Sequence, residues 1–361
     1  MVSESLIARS GERGEQAGLP RASDRPLSQA YDAALLDLDG VVYLGGAAVP
    51  RAPESLARAR AQGMQLAFVT NNASRSPAAI SAELNQLGVP ADRSEVVTSA
   101  QAAAHLIADR VPAGAPVLVV GGIGLRLALR ERGLRPVSTA AERPAAVVQG
   151  YGPNVDYGML TEAALAVRAG AWYVASNADV TLPTARGLQP GNGSLVQVIV
   201  TATGTKPVVA GKPEPPLHAE TVARTGAKRP LVVGDRLDTD IEGAVRVGAD
   251  SMLVLTGVAV PADAVLAPPQ RRPAYLAADL SGLLEPHPPV TATGHEFRCG
   301  GWTARVRDVQ GTHDGQAGRL EIGGDGTPID GLRALCAAAW SAGAVTEDSV
   351  HDAVGRLRFG G

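Results

Sequence analysis

Leu35-Leu36-Asp37-Leu38-Asp39-Gly40-Val41 is an apolar run that ends in two carboxylates one residue apart, followed at once by a glycine. With the alanines before it, Ala33-Ala34-Leu35-Leu36-Asp37 reads as a buried β-strand. Gly40 lets the chain turn sharply behind the acids. In an open parallel sheet, ligands bind at the carboxyl ends of the strands, so Asp37 and Asp39 form a first candidate pair. Two acids at a strand end can also simply open a turn, and the motif therefore needs company.

The surrounding sequence supports a parallel sheet. From Tyr31 onward, short β-branched runs ending in Gly, Asp or Asn alternate with Ala/Leu/Arg-rich helical stretches, which is the rhythm of βα units. Leu66-Ala67-Phe68-Val69-Thr70 reads as a second strand, after a helix from about Pro53 to Gln62 that Gly63 ends. Pro112 and Pro116 bracket a break beyond a helix at Ser99 to Asp109, and a new βα series opens with Val117-Leu118-Val119-Val120. That series continues with strands near Ala146 to Gln149 and Ala171 to Ser176, and a helix from about Gly158 to Ala169. The first series resumes with strands near Leu231 to Gly234 and Ser251 to Leu255, closed by a helix-like stretch at Ala277 to Leu284. After the linker His287-Pro288-Pro289 the texture becomes Gly-rich and alternating, with one good helix at about Asp330 to Trp340. The expected organisation is a disordered tail over 1–30, a core made of 31–111 and 207–285, an inserted α/β domain over 112–206 and a small α+β module over 290–361.

Three more pieces join the first. Leu231-Val232-Val233-Gly234-Asp235-Arg236-Leu237-Asp238-Thr239-Asp240 is again an apolar strand running into acids. Two such strand ends side by side make an oxygen-rich pocket of the kind that holds the small, hard Mg²⁺ ion. Phe68-Val69-Thr70-Asn71-Asn72 ends a strand in a hydroxyl and two amides, which can donate hydrogen bonds to phosphate oxygens. Gly211-Lys212-Pro213 offers a lysine in a fixed position, able to offset negative charge on a transferred group.

In this order the four pieces resemble the four motifs of the haloacid-dehalogenase phosphatase superfamily, over about Ala33 to Leu284. The resemblance implies an α/β fold: a Rossmann-like parallel-sheet core with an inserted α/β cap domain, followed here by the small C-terminal α+β module. The insertion lies between the second and third motifs, as in the branch with a large α/β cap. Ser176-Asn177-Ala178-Asp179 through Leu182-Pro183 to Gly187, and Gly191-Asn192-Gly193-Ser194-Leu195, look especially like that branch.

By the same resemblance Asp37 is the nucleophile and Asp39 the general acid/base. Mg²⁺ is expected on the Asp37 carboxylate, the Asp39 backbone carbonyl and Asp235, with Asp240 supporting the shell. Thr70, Asn71, Asn72 and Lys212 are expected at the phosphoryl oxygens, and specificity in cap residues such as Asn177 to Arg186. The implied activity is Mg²⁺-dependent hydrolysis of a small phosphomonoester through an aspartyl-phosphate. Family analogy puts glycerol 3-phosphate ahead of 2-phosphoglycolate, although the core motifs do not separate these from other small-metabolite or p-nitrophenyl phosphatases. Two readings compete: transfer to another acceptor, as in phosphomutases, and a catalytically idle binding or regulatory protein. The joint presence of Asp37, Asp39, Lys212 and Asp235 speaks against the second.

Composition narrows the partners. A chain of 361 residues with 45% hydrophobic content can bury more than one core. Its net charge of -3, with signs interspersed, provides no basic stripe for nucleic acid. Apolar runs such as Met252 to Leu255 are far shorter than the roughly 20 residues of a membrane span. The first thirty residues lack the apolar core of a secretory signal, and the only cysteines are Cys299 and Cys336, so a cytoplasmic protein is expected. Homo-oligomerisation stays open. Val117 to Gly124 resembles the opening of a dinucleotide-binding unit, but the third glycine position holds Leu127. Cys299 to Arg305 has the C-x5-R spacing of cysteine-dependent phosphatases, but Arg298 and Val306 flank it where His and a hydroxyl are needed. The C-terminal module shows no cofactor loop. Trp302, Cys336 and Trp340 read as its core, and its role as a regulatory, dimerisation or transferase-like element is open.

Overall fold

The computed structural model describes residues 18–184, 186–307 and 317–359. They fall into two compact units, Met1–Leu66 with Ala227–Gly361, and Ala67–Gly226.

In the first unit four parallel strands lie in the order Tyr275–Ala277, Asp250–Val254, Pro230–Gly234, Ala33–Leu36. Every residue of Ala33–Leu36 and Pro230–Gly234 is buried. Strands covered on both faces tolerate only apolar side chains, which is why these segments are unbroken Ala, Leu and Val rather than alternating. The register sets Leu36 opposite Val233. Asp37 and Asp235, which follow the two strands, therefore leave the sheet at the same edge. A further strand, Gln65–Thr70, starts in this unit, where the Gln65 amide donates to Asp32 O.

The same unit contains an antiparallel sheet in the order Thr291–Thr293, Glu296–Cys299, Trp302–Arg307, Arg319–Gly324, and the helices Pro328–Ala342 and Glu347–Gly355. Helix Pro328–Ala342 starts at Thr327, whose side chain accepts from the Asp330 amide, with proline in the first turn. Ten of its fifteen residues are buried, because it packs on the antiparallel sheet on one side and on elements of the parallel-sheet region on the other. Leu332, Leu335, Cys336 and Trp340 share one apolar cluster with Ile241, Leu253, Val265 and Leu276. The module, expected after the linker His287-Pro288-Pro289, thus shares a core with the parallel-sheet region. Arg333, buried in that junction, is paired with Asp330 and donates to Leu276 O at 2.7 Å.

The second unit has the strand pair Gln65–Thr70 and Val96–Thr98, with Phe68 opposite Val96, and a parallel five-stranded sheet. The five strands lie in the order Val208–Val209, Trp172–Ala175, Ala146–Gln149, Pro116–Val120, Arg135–Val137. A hairpin, Thr181–Thr184 with Gly187–Pro190, extends from it. The insertion was expected over 112–206, yet the compact unit runs from Ala67 to Gly226. Buried charge explains part of the difference. Glu220 on helix Pro215–Thr225 binds His105 on helix Ser99–Ala108, Arg132 at 2.9 Å and Arg224 at 2.7 Å. Burial pushes the Glu220 carboxyl up, but the bonds from His105 and Arg224 and the Arg224 and Arg132 charges outweigh it, so its pKa lies below the ordinary value.

Two further expectations change. Within the supposed tail, residues 1–17 lie outside the described residues, but Leu27–Ala30 forms a helical turn with Leu27 fully buried, and Ser23 pairs with His287. Burial of Leu27 is what orders it. The stretch Ala277 to Leu284 is the end of a strand and then a 3₁₀ turn, Leu280–Leu284, because the Asp279 side chain caps the Ser281 amide and starts a new turn there. No helix among the described residues is long and apolar enough to cross a membrane.

Candidate active site

Three carboxylates converge in the first unit. Asp37, Asp235 and Asp240 each present an oxygen within 4.8 Å of the others, with Asp235 and Asp240 buried and Asp37 half-buried. Asp37 is fixed by its amide donating to Val233 O at 2.8 Å, which continues the strand ladder. Asp235 Oδ2 accepts from the Val258 amide at 2.7 Å, and Asp235 O accepts from the Ala259 amide at 3.0 Å. Asp240 sits on a single wide π turn, Leu237–Ile241, and its Oδ2 accepts from the Arg236 amide at 3.2 Å. Such turns recur at functional sites because they re-aim a side chain. Gly40 is required beside them: its φ is +80°, and a Cβ there would stand 2.5 Å from Asp235 Oδ2. Asp39 is exposed, and its carboxylate is not in the cluster.

Three carboxylates in one place, two of them buried, repel each other unless a cation offsets them, and all-oxygen donors suit a hard divalent ion. The donor set thus fits Mg²⁺. The expected ligands Asp37 and Asp235 are brought together. Asp240 supplies an oxygen in the same cluster, nearer than its expected supporting role.

The second unit gathers Thr70, Asn71 and Lys212. Lys212 is 3% exposed, and its Nζ donates to Val69 O at 3.3 Å. Asn71 grips the lysine backbone: its Oδ1 accepts from Lys212 N at 2.8 Å and its Nδ2 donates to Lys212 O at 3.0 Å. The same Nδ2 lies 3.2 Å from Asp179 Oδ2. Asn177 Nδ2 donates to Asn71 O at 2.7 Å, and Asn192 Nδ2 donates to Asn177 O at 2.7 Å. Thr70 Oγ1 accepts from the Asn72 amide, while Asn72 Oδ1 accepts from Ser74 N and Oγ. The Asn71 side chain is thus engaged at both ends with protein partners, and Asn72 is engaged through its Oδ1. His218, 1% exposed, lies in the electrostatic field of Lys212; burial and that charge hold its pKa down to about 3.

Sequence reasoning singled out the stretch containing Asn177, Asp179 and Asn192, whereas Thr256, Val258 and His218 escaped it. Val258 acts through its backbone amide, which leaves no trace in residue type. Ala185, within the stretch assigned to specificity, lies outside the described residues. The two declined motifs stay declined. Gly122 starts helix Ile123–Glu131 in a tight βα turn. Cys299 is buried, and burial, with Asp330 beside it, pushes the thiol up to about 12, so no thiolate is available.

Comparison with known proteins agrees with the geometry. Residues 34–135 match the haloacid dehalogenase-like hydrolase family and 209–283 a HAD-hydrolase-like family, while 299–357 match a GCN5-related N-acetyltransferase like domain. The chain is 46% identical over 321 residues to D-glycerol 3-phosphate phosphatase of Mycobacterium tuberculosis, covering 88% of each. It is 39% identical over 230 residues to acid sugar phosphatase of Staphylococcus aureus, covering 63% of this chain and 88% of that one. The crystal structure of glycerol phosphate phosphatase from M. tuberculosis in complex with magnesium superposes with a TM-score of 0.81 at 43% identity, over 92% of this chain and 99% of that one. With its parallel-sheet core and its acid-bearing strand ends, this chain belongs to the haloacid dehalogenase-like hydrolase family, as an enzyme among that family's phosphatases.

Proposed function

We propose that the chain is a Mg²⁺-dependent phosphomonoester hydrolase with glycerol 3-phosphate as its preferred substrate, acting through an aspartyl-phosphate on Asp37. The observation that carries this reading is the convergence of Asp37, Asp235 and Asp240 within 4.8 Å, in a chain that is 46% identical to a D-glycerol 3-phosphate phosphatase.

The residues divide the work. Asp37, Asp235 and the Asp39 carbonyl hold the ion, with Asp240 beside them; Mg²⁺, when bound, neutralises charge on the phosphoryl oxygens. Asp37 attacks phosphorus, forming a new P–O bond as the ester P–O bond breaks. Asp39, whose side chain is exposed, gives its proton to the leaving alkoxide. It then takes a proton from the water that attacks the same phosphorus, releasing inorganic phosphate and restoring Asp37. Lys212 and Thr70 are assigned to the phosphoryl oxygens, where a buried cation is worth far more than an exposed one. Asn71 is assigned to keeping Lys212 in place through its two backbone bonds. Two free, buried cysteines suit a reducing compartment and support a cytoplasmic enzyme.

The test is kcat/KM for phosphate release from glycerol 3-phosphate, 2-phosphoglycolate and a set of sugar phosphates, with Mg²⁺. Glycerol 3-phosphate is expected to lead by about tenfold or more, a margin of roughly 1.4 kcal/mol. A higher value for a sugar phosphate or for 2-phosphoglycolate overturns the substrate assignment and leaves the chemistry standing.

A further inference from the structure

We infer that the C-terminal module is a positioning element for the metal-holding carboxylates, acting through Trp340 and the loop Thr256 to Ala259. The inference rests on the reading that Asp37, Asp235 and Asp240 hold Mg²⁺.

The path consists of contacts within one compact unit. Trp340, 7% exposed on helix Pro328–Ala342, donates from Nε1 to Ala264 O at 3.1 Å. Ala264 lies on the short helix Pro261–Val265, which continues directly from the loop. The loop holds the acids from two sides. Val258 N donates to Asp235 Oδ2 at 2.7 Å and Ala259 N to Asp235 O at 3.0 Å, while Thr256 Oγ1 donates to Gly40 O at 2.6 Å, just behind Asp37 and Asp39. The fit is close: a Cβ added at Gly257 would lie 1.9 Å from Asp235 Oδ2, so a small displacement of the loop moves or frees that carboxylate.

The module also reaches the other metal-side element. Ile241 and Leu237, at the two ends of the π turn that carries Asp240, pack in or against the cluster that contains Leu335 and Trp340. An antiparallel sheet and two helices are thus anchored to the two backbone segments that aim Asp235 and Asp240. Partners one step removed from a metal fix the direction of the ligands, and their loss typically costs about 10–100-fold in metal affinity or activity. A module whose contribution is made there changes how well the ion is held, not how the organic part of the substrate is recognised.

The test measures Mg²⁺ binding by calorimetry on the full chain, together with activity, for the unaltered protein, Trp340→Phe, Thr256→Val and Asp235→Asn. Trp340→Phe keeps most of the ring and loses the bond to Ala264; Thr256→Val is nearly isosteric and loses the bond to Gly40. Both are expected to raise the Kd for Mg²⁺ several-fold, up to about tenfold, while KM for glycerol 3-phosphate at saturating Mg²⁺ stays within about twofold. A module that is merely structural lowers the melting temperature without moving the Kd. An unchanged Kd in either folded variant overturns the inference, and if Trp340→Phe does not fold, Trp340→Tyr, which also lacks the indole N–H, takes its place. Failure of the unaltered protein to bind Mg²⁺, or undiminished binding by Asp235→Asn, overturns the underlying reading instead.

Discussion

The carboxylate set and the lysine set are built on opposite plans. Asp37 and Asp235 are held by main chain: the strand ladder at Asp37, and the amides of Val258 and Ala259 at Asp235. Lys212 is held by side chain: both ends of the Asn71 amide grip its backbone, and Asn177 and Asn192 continue the network. The difference follows from charge. Carboxylates that must stay ionised together need N–H donors and a cation, both of which backbone and metal supply. A buried ammonium needs an acceptor, which the Val69 carbonyl supplies, and a fixed stem, which the Asn71 side chain supplies without adding a full charge. In one set main chain fixes the candidate residues; in the other an asparagine side chain, Asn71, grips the backbone of the candidate lysine.

The largest expected effect tests the first set. Asp235→Asn removes one of the clustered charges, so Mg²⁺ binding is expected to be lost and turnover to fall by about 10³-fold or more, a result that titration with Mg²⁺ and steady-state kinetics would check. Lys212→Met sharpens the contrast: kcat is expected to fall about 10²–10³-fold while Mg²⁺ affinity stays near that of the unaltered chain. If the metal affinity fell in parallel, the two sets would not be separable.

Asn71→Ala tests the clamp. With Asp179 and the Lys212 backbone losing their shared partner, kcat is expected to drop about 10–100-fold, less than for Lys212→Met, again with metal binding kept. An effect as large as that of Lys212→Met would make Asn71 a ligand in its own right.

The smallest effect is one of stability and pH. His218 is neutral when folded down to about 3, whereas in the unfolded chain it takes a proton near its ordinary value of 6.5. Stability from this residue is complete above that ordinary value and is lost as pH falls toward 3, at about 1.4 kcal/mol per unit. His218→Phe is expected to flatten this acid limb in denaturant melts run between pH 7 and about 4, leaving turnover at neutral pH little changed. An unaltered limb would assign the acid sensitivity to other groups.

Most of the fold was legible because parallel strands buried on both faces must be apolar throughout, so Ala33–Leu36 and Pro230–Gly234 announce themselves and their trailing acids. Asp37 and Asp235 were legible for the same reason, as charges placed at the ends of such runs, and Lys212 from its place between Gly211 and Pro213. The grip of Asn71 on the Lys212 backbone was not, since residue type alone does not tell which main-chain groups an amide meets. Nor was the unity of the C-terminal module with the core. The burial of Leu332, Leu335 and Trp340 against Val265 and Leu276 joins segments more than fifty residues apart, and helical periodicity says which face is apolar but not what covers it.

The most direct test of the central claim is capture of the phosphoryl group on Asp37. The full chain, mixed with glycerol 3-phosphate and Mg²⁺ and quenched in acid during turnover, is digested and examined by mass spectrometry. The account predicts one added phosphoryl group on the peptide containing Asp37, absent with chelator, and no label or turnover in a folded Asp37→Asn variant. Turnover that persists in Asp37→Asn, or a phosphoryl group found on another residue while Asp37 stays bare, would contradict it.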